Sequence, residues 1–261
     1  MPQKNQESES KTPTNDSEKY SANDKKFHDI KTSVGIKVII PAYNEEESIA
    51  KVIAEIPEIV QEIIVVSNNS TDATEENAKN AGATVLQEKQ KGYGYACLKG
   101  MDYISKQENQ PDIIVFLDGD YSDFPGELTK IVAPIIKENK DVVIGSRVRR
   151  WREKGSMTFP QIFGNWLATS LMKLFFNAHF TDLGPFRAIK YNKLLQLEMQ
   201  DKTYGWTVEM QLKALKKGFS YTEVPVHYKN RIGTSKVSGT LKGSIFAGVK
   251  ILGWIFKYSF K

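Results

Sequence analysis

A pair of carboxylates follows a run of five large apolar residues in this sequence. Residues 113–117 read Ile-Ile-Val-Phe-Leu, and Asp118, Gly119 and Asp120 come next, with Asp123 three positions later. Two carboxylates this close can hold Mg²⁺ or Mn²⁺ against the oxygens of a diphosphate, and Gly119 would let the backbone turn tightly between them. Asp and Gly are also common turn formers, so the pair by itself equally fits a polar turn.

The elements around this pair decide where it lies. From Val34 onward the sequence alternates between short apolar runs and amphipathic stretches. Uninterrupted apolar runs indicate strands buried on both faces, and their alternation with helices predicts βαβ units and a mostly parallel sheet. Ligands of such sheets bind at the carboxyl ends of the strands. The residues at or just after these predicted ends are Pro41, Tyr43, Glu45, Asn68, Asp118, Asp120 and Arg147. Their shared edge favours a binding site over a turn, and we expect Asp123 to cap a helix that begins at Pro125.

The chain divides by composition into three parts. Residues 1–33 are rich in Ser, Lys, Glu and Asn and predict a disordered tail. Residues 34–238 form the predicted α/β domain, and 239–261 predict an amphipathic helix. On a helical wheel its lysines oppose an apolar arc that leaves out Trp254 and Tyr258; the arc holds Leu241, Ile245, Val249, Leu252, Ile255 and Phe256. This pattern fits a helix in a membrane interface and also a helix packed on the domain.

Composition excludes some classes of protein. The net charge of +5 fits phosphorylated ligands, an anionic membrane or nucleic acid, and does not choose among them. The single cysteine, Cys97, permits no disulfide within the chain, so we expect a reducing compartment and a packed thiol. No apolar stretch is long enough to predict a transmembrane helix, and the N-terminus lacks the apolar centre of a signal peptide.

Six segments of the sequence, in order, resemble one known family. They are VIIPAYNEEESI, IVVSNNSTDAT, FLDGD, VIGSR, DLGPFRAI and RIGTSKVSGT. Together they resemble the family 2 glycosyltransferases of GT-A fold, and most of all the branch that makes polyprenyl- or dolichyl-phosphate mannose or glucose. The resemblance spans residues 34–240, and six motifs in the proper order are far more specific than any one of them. It implies a GT-A, Rossmann-like sheet, mostly parallel and flanked by helices, followed by the C-terminal amphipathic helix.

The resemblance also implies roles for individual residues. Sugar would be transferred with inversion from a UDP- or GDP-hexose, using Mg²⁺ or Mn²⁺ bound by Asp118 and Asp120. Residues implied to bind the nucleotide sugar are Pro41, Tyr43, Glu45, Asn68, Lys91, Asp118 and Gly119. Those implied to face the acceptor or phosphates are Arg147, Arg150, Arg152, Arg231 and Lys236, and those implied in catalysis are Asp120, Arg147 and Glu209. Gly92 and Gly94 are expected to allow a close approach near the nucleotide or to start a helix.

Three positions depart from the family pattern. The family's Asp-Asp-Gly-Ser reads Ser67-Asn68-Asn69-Ser70 here, so the acidic group near the base is missing. Ser122 stands where mannose synthases often place a metal-binding Gln. Gln161 stands in a segment where relatives usually supply an Arg for the acceptor phosphate, a role that would pass to Arg150, Arg152 or Lys154.

The acceptor determines whether a base is needed. A hydroxyl must lose its proton to a general base, and Glu209 is the best candidate; alternatively, Glu209 orients a basic loop residue or lies on a solvated helix face. A phosphate monoester, with a second pKa of about 6, is already anionic and needs only cationic groups and alignment. We predict transfer to a polyprenyl phosphate by a cytoplasmic, peripheral enzyme on the inner face of a membrane, with no nucleic-acid partner. A glycosyltransferase with a soluble acceptor and a non-catalytic nucleotide-sugar-binding protein remain as alternatives.

Overall fold

The computed structural model describes residues 34–233 and 241–259, with the side chains of 241–245 left undescribed. The predicted tail and Lys236 lie outside the described residues. Seven strands form one sheet: β1 (Ile36–Ala42), β2 (Glu62–Ser67), β3 (Thr84–Gln87), β4 (Ile113–Phe116), β5 (Val142–Ser146), β6 (Arg187–Lys190) and β7 (Tyr221–Pro225). The helices of the described part are α1 (Ile49–Ala54), α2 (Thr74–Asn80), α3 (Tyr93–Ser105), α4 (Leu128–Glu138), α5 (Phe159–Phe176), α6 (Tyr191–Leu197), α7 (Trp206–Lys216) and α8 (Leu241–Ser259).

The sheet is mostly parallel, as predicted. Its strand order is β3-β2-β1-β4-β6-β5-β7, and β6 alone runs antiparallel to both of its neighbours. Parallel pairing of β1 with β2 and with β4 brings the carboxyl ends of these three strands to one edge. That edge therefore gathers Tyr43, Asn68 and Asp118 from three separate motifs.

Each strand of the sheet centre is buried on both faces. Along β1, Val38 and Ile40 belong to one apolar cluster and Ile39 to the other, which is the alternation that a pleated strand imposes. Helices α1 and α4 cover the first face, and α3, α7 and α8 cover the second. Burying a large apolar side chain on either face stabilises the fold by about 1.5–3 kcal/mol. The continuous apolar runs of the sequence are explained by this double coverage.

Helix α5 begins with a capping box and exposes a row of apolar residues. The side chain of Thr158 caps the first turn, and Gln161 Oε1 accepts the backbone N–H of Thr158 at 2.7 Å. Gln161 thus helps to start the helix. The exposed row has spacing i, i+3, i+4, i+7 and consists of Phe159, Ile162, Phe163 and Trp166.

The C-terminal helix α8 packs on the domain with one face and exposes another. Trp254 and Ile255 are buried among residues of α5 and α7, whereas Val249 and Phe256 are exposed. The helix is amphipathic as predicted, but the predicted apolar arc is wrong in detail. Trp254, placed outside the arc, is inside the protein, because a hydrogen-bond partner for its indole lies there. Within the described residues no helix has the length and apolar character needed to cross a bilayer.

Candidate active site

The two carboxylates lie in the turn that follows β4. Asp120 is buried, and Asp118 has one oxygen, Oδ1, that is enclosed although the residue as a whole keeps some exposure. Gly119 is not the residue that bends this turn. A Cβ at Gly119 would meet only ordinary contacts at 3.5 Å, and the left-handed backbone belongs to Tyr121, at φ 62°. A tyrosine in this conformation is strained, and such strain collects at functional sites.

Asp120 is held in one orientation by its neighbour Ser122. Its Oδ1 accepts hydrogen bonds from the backbone N–H and the hydroxyl of Ser122, at 2.9 and 2.6 Å. Its Oδ2 forms an ion pair with Arg231. Ser122 is thus an orienting residue here, where the family comparison led us to look for a further metal ligand.

Burial and charge make Asp118 hard to ionise. Its enclosure first, and the neighbouring charge of Asp120 second, raise the pKa of Asp118 to about 7. Asp118 Oδ1 has no hydrogen-bond partner among residues 34–233 and 241–259. The buried hydroxyl of Tyr93 is close enough to lower the pKa of Asp118 in part, but it makes no hydrogen bond of ordinary geometry to Oδ1. An enclosed carboxylate oxygen left in this way is costly unless a cation or a proton occupies it.

The donor set fits a hard divalent cation that is shared with a phosphorylated ligand. Asp118 offers an unpartnered oxygen, and Asp120 offers an oxygen that is already bound to a cationic group. Within the described part of the chain, no cluster of three or more His, Cys, Asp or Glu side chains forms a closed metal cage. Mg²⁺ and Mn²⁺ are commonly held by one or two carboxylates, with water and phosphate oxygens completing the shell.

Asp123 lies under the carboxylate pair and does not cap a helix. The helical turn Pro125–Glu127 has Phe124 at its N-cap position. Neither carboxylate oxygen of Asp123 finds a hydrogen-bond partner in the described chain. Burial, and then the charges of Asp118 and Asp120, raise the pKa of Asp123 well above its usual range. The capping prediction was wrong because Asp123 pairs through its backbone with Tyr228, which turns it inward.

Arg147 forms an ion pair with the buried carboxylate of Asp182. Its Nε and Nη2 donate to the two oxygens of Asp182 at 2.8 and 2.6 Å, and its backbone N–H donates to the same carboxylate at 2.7 Å. Its guanidinium also lies 5.1 Å from the centre of the Tyr228 ring. The predicted role of Arg147 in catalysis and phosphate binding conflicts with this bidentate, largely buried pair. We assign Arg147 a structural role that joins the end of β5 to the segment before β6.

The other predicted basic residues differ in availability. Arg150 is exposed, with its guanidinium 5.2 Å from the centre of the Trp151 ring. Arg152 is half-buried, and its segment is paired with Tyr228. Arg231 contacts Asp120 directly. Of the predicted phosphate-binding residues in the described chain, Arg231 is thus the one that lies against the carboxylate pair.

Tyr43 and Lys91 contact each other after the carboxyl ends of β1 and β3. Lys91 Nζ lies 5.5 Å from the centre of the Tyr43 ring, and both side chains reach solvent. Pro41 is buried within β1, opposite Val66 of β2. The backbone N–H of Glu45 donates to Thr74 Oγ1 at 2.8 Å, which ties this segment to the start of α2. Within the predicted nucleotide-binding set, Lys91 is therefore exposed, whereas Tyr43, Glu45 and Asp118 are half-buried.

Asn68 holds a loop in place. Its side-chain amide donates to the carbonyls of Glu88 and Gln90 at 3.3 and 2.6 Å. Its Oδ1 accepts the backbone N–H of Gly92 at 2.7 Å. An Asp could not donate to two carbonyls, so the amide at position 68 suits this loop. These contacts explain an amide at position 68 without a nucleotide base.

Gly92 and Gly94 allow the backbone at residues 201–202 to approach closely. A Cβ at Gly92 would lie 2.2 Å from the carbonyl oxygen of Lys202, and one at Gly94 would lie 2.0 Å from that of Asp201. Gly92 is also the N-cap of α3, so the expected helix start is confirmed. The close approach comes from the chain at 201–202, and the sequence could not identify that partner.

Glu209 is not placed to act as a base. It is fully buried in α7, and its carboxylate accepts the backbone N–H groups of Gln200 and Asp201, the closest at 2.7 Å. Lys213 pairs with it at 2.7 Å. Both oxygens are occupied, and the side chain fixes the turn that leads into α7. The catalytic role of Glu209 stays a prediction that these contacts do not favour.

Sequence reasoning missed the importance of Asp182 and Asp201. Asp182 holds Arg147, and Asp201 accepts the indole N–H of Trp254 at 2.6 Å. Asp182 lies within one of the six family motifs, DLGPFRAI, so that motif was a usable signal for it. Asp201 lies in a polar turn with no periodic pattern, and no sequence signal singles it out.

The sheet order, the single antiparallel strand and the paired carboxylates after β4 define a glycosyltransferase of GT-A fold. The sequence model of the family Glycosyl transferase family 2 matches residues 37–200, and the chain belongs to this family. It is 34% identical over 215 residues to an uncharacterized glycosyltransferase of Mycobacterium tuberculosis, covering 81% of this chain and 94% of the relative. It is 30% identical to a dolichyl-phosphate hexose transferase of Haloferax volcanii, covering 77% of this chain and 86% of the relative.

Two further similarities concern acceptors of different kinds. An undecaprenyl-phosphate mannosyltransferase of Micrococcus luteus is 27% identical, with 84% of this chain and 93% of that protein covered. Glucosyl-3-phosphoglycerate synthase of Mycobacterium tuberculosis, solved with Mn²⁺, UDP and glucosyl-3-phosphoglycerate, is similar in structure with a TM-score of 0.70. That similarity covers 87% of this chain and 81% of the synthase at 21% identity. At this identity the likeness shows the fold.

Proposed function

We propose that this protein is an inverting hexosyltransferase that moves a hexose from a UDP- or GDP-hexose to a polyprenyl phosphate. The names of two relatives, a dolichyl-phosphate hexose transferase and an undecaprenyl-phosphate mannosyltransferase, support this acceptor class. An acceptor phosphate oxygen would form a bond to the anomeric carbon. The bond from that carbon to the diphosphate oxygen would break, and the nucleoside diphosphate would leave with the electron pair.

Asp118 and Asp120 are the residues we propose to bind Mg²⁺ or Mn²⁺. Such an ion supplies positive charge that stabilises the departing diphosphate. Asp120 is oriented for this by Ser122, and Asp118 has an unpartnered oxygen. Tyr43, Glu45 and Lys91 lie at the same edge of the sheet and are proposed to contact the nucleotide.

The acceptor phosphate needs no protein base, and the structure offers none in the predicted place. Glu209 is buried and paired with Lys213. A phosphate oxygen is already anionic near neutral pH, since its second pKa is about 6. Arg150 and Arg152, in the segment before α5, are proposed to align it. A phosphate acceptor is therefore compatible with the buried, paired state of Glu209.

The observation that carries the lipid part of the proposal is the exposed apolar row of α5. Phe159 is 78% exposed and Trp166 is 59% exposed, with Phe163 in contact with both rings. Single exposed apolar residues are ordinary, but a contiguous aromatic row marks a binding surface. Aromatic side chains of this kind suit the interface between water and lipid.

Hydrogen bonds join this part of α5 to the segment before β6. Asn165, between Phe163 and Trp166, donates its amide to the carbonyl of Thr181 and accepts the backbone N–H of Leu183, both at 2.9 Å. These two residues flank Asp182, which holds Arg147. At the far end of α5, Phe175 contacts Phe256 of α8, with ring centres 5.9 Å apart. We therefore propose that α5 and α8 together meet the inner face of a membrane, with the protein peripheral and cytoplasmic.

The test is transfer of labelled sugar to a lipid. Full-length protein with Mn²⁺ would be incubated with labelled UDP- and GDP-glucose and -mannose, and with either undecaprenyl phosphate in vesicles or 3-phosphoglycerate. We expect organic-extractable label from one donor. Label only in the aqueous product would support the soluble-acceptor alternative. No product with any pair would contradict the proposal.

A matched pair of variants tests the apolar row. Phe163→Ser with Trp166→Ser should lower transfer to vesicle-borne acceptor by about tenfold or more, because membrane affinity scales with buried apolar area. Binding of the nucleoside diphosphate should not change. Leu195→Ser is the control, since Leu195 is 48% exposed and lies on α6. Equal losses in both variants would count against the row as the lipid surface.

A further inference from the structure

Arg231 occupies the outward oxygen of Asp120. The guanidinium contacts Oδ2, and the two side chains are 28% and 5% exposed. The other oxygen, Oδ1, is taken by the two Ser122 hydrogen bonds. Oδ2 is therefore the oxygen that Asp120 can present to a divalent cation, and it is the oxygen that Arg231 contacts.

The backbone fixes Arg231 at this place. The N–H of Ile232 donates to the carbonyl of Asp120 at 3.0 Å, and the N–H of Lys229 donates to the carbonyl of Ser122 at 2.9 Å. Tyr228, in the same segment, pairs with Asp123. Residues 228–232 thus run alongside the carboxylate turn and are held to it by backbone hydrogen bonds. The Arg231–Asp120 ion pair is therefore fixed by the backbone on both sides.

Charge balance at the turn depends on what binds there. Burial lowers the pKa of Arg231, and the charges of Asp120, Asp118 and Glu45 raise it, with a net rise. A free divalent cation added beside Arg231 would leave an excess of positive charge against two carboxylates, and like charges at such distances repel. A cation that arrives with a diphosphate brings anionic oxygens, and these are bidentate partners for a guanidinium.

We propose that Arg231 makes the site select a cation–diphosphate pair over a free cation. In the ligand-free protein Arg231 competes with the cation for Oδ2 of Asp120. When a nucleoside diphosphate binds, its phosphate oxygens take the guanidinium, and Oδ2 becomes available to the cation. This role of Arg231 rests on the proposed function for the identity of the diphosphate ligand. It predicts that cation binding and diphosphate binding strengthen each other, as linkage requires.

The test compares two binding reactions in the full-length Arg231→Gln variant. Mn²⁺ alone would be titrated and followed by the electron paramagnetic resonance of the free ion. UDP and GDP would then be titrated with Mn²⁺ present. We expect the variant to bind Mn²⁺ alone about fivefold more tightly, the scale of a lost competing ion pair. We expect it to bind the Mn²⁺–nucleoside diphosphate at least about tenfold more weakly, because a charge-assisted contact is lost.

The opposite signs separate this role from a structural one. Arg149→Gln is the matched control, since it removes the same charge from an exposed arginine outside the carboxylate turn, and both affinities should stay near wild type. If Arg231→Gln binds Mn²⁺ alone no better than wild type, the proposal is wrong, whatever happens to nucleotide binding. If wild type binds neither UDP nor GDP with Mn²⁺, the proposed function fails, while the Mn²⁺ titration still decides whether Arg231 competes for Asp120.

Discussion

Asp182 and Arg147 form a buried, bidentate ion pair that joins two distant parts of the chain. The carboxylate accepts Nε, Nη2 and the backbone N–H of Arg147 at 2.6–2.8 Å. Asp182 lies in the segment between α5 and β6, and Arg147 comes directly after β5. The pair therefore connects the segment after the proposed lipid-facing helix to the carboxyl end of β5. The charge of Arg147 lowers the pKa of Asp182, which burial alone would raise.

This pair should show strong coupling in a double-mutant cycle. Asp182→Asn and Arg147→Met should each lower the free energy of unfolding by about 3–5 kcal/mol, because each leaves a buried charge without its partner. The double variant should cost clearly less than the sum, since neither charge remains. Urea unfolding measures all four corners. Additive losses would show that the two side chains are not energetically linked.

Asp118 should make the stability of the metal-free protein fall as pH rises towards 8. Its pKa is about 7 in the folded protein and about 4 in an unfolded chain. The folded state therefore binds more protons between these values, and stability is lost as the proton leaves. Roughly 2 kcal/mol of this loss is already present at pH 5.5 and roughly 4 kcal/mol at pH 8, so Asp118→Asn should raise the unfolding free energy at both values, by about 2 kcal/mol more at pH 8.

Thermal unfolding in a chelating buffer would measure this effect. Asp102→Asn is the control, because Asp102 is an exposed surface carboxylate paired with Lys106. That variant should show no difference between the two pH values. An Asp118→Asn effect of equal size at pH 5.5 and pH 8 would contradict the assignment.

Glu209 should matter for stability and not for proton transfer. Glu209→Gln weakens the pair with Lys213 and the bonds to two backbone N–H groups, so we expect a loss of about 2–4 kcal/mol. Lys213→Gln should cost a similar amount. The pH dependence of turnover should match wild type in both. A turnover loss of about 10²-fold or more at unchanged stability would instead make Glu209 a base.

The docking of α8 depends on a glycine opposite Trp254. A Cβ at Gly205 would lie 2.5 Å from two atoms of the Trp254 indole. Gly205→Ala should lower stability by about 1–3 kcal/mol through overpacking, and should make α8 more susceptible to limited proteolysis. Gly253→Ala, within α8 and facing open space, should stabilise by about 0.5–1 kcal/mol. An equal change in stability in the two alanine variants would contradict the packing of Trp254 of α8 against Gly205.

The sequence predicted the elements of the site better than the roles of its residues. The strand-end position of Asp118 and Asp120 follows from a buried apolar run that stops at polar residues, which is a local pattern. The role of Asn68 does not follow from a local pattern, because its two carbonyl partners come from a loop about twenty residues later. The contacts of Glu209 do not follow from one for the same reason: its partners at positions 200 and 201 lie outside its own helix.

What the sequence by itself determined is the fold class, the family and the edge of the sheet that holds the carboxylate pair. These depend on hydrophobic period and on motif order, which are properties of neighbouring residues. Only the tertiary structure decided which charges are free and which are already paired. Arg147 and Arg231 look alike in sequence, yet Arg147 is paired with Asp182 and Arg231 with Asp120. The physical reason is that an ion pair depends on which side chains from distant segments meet, and on how much water their burial removes.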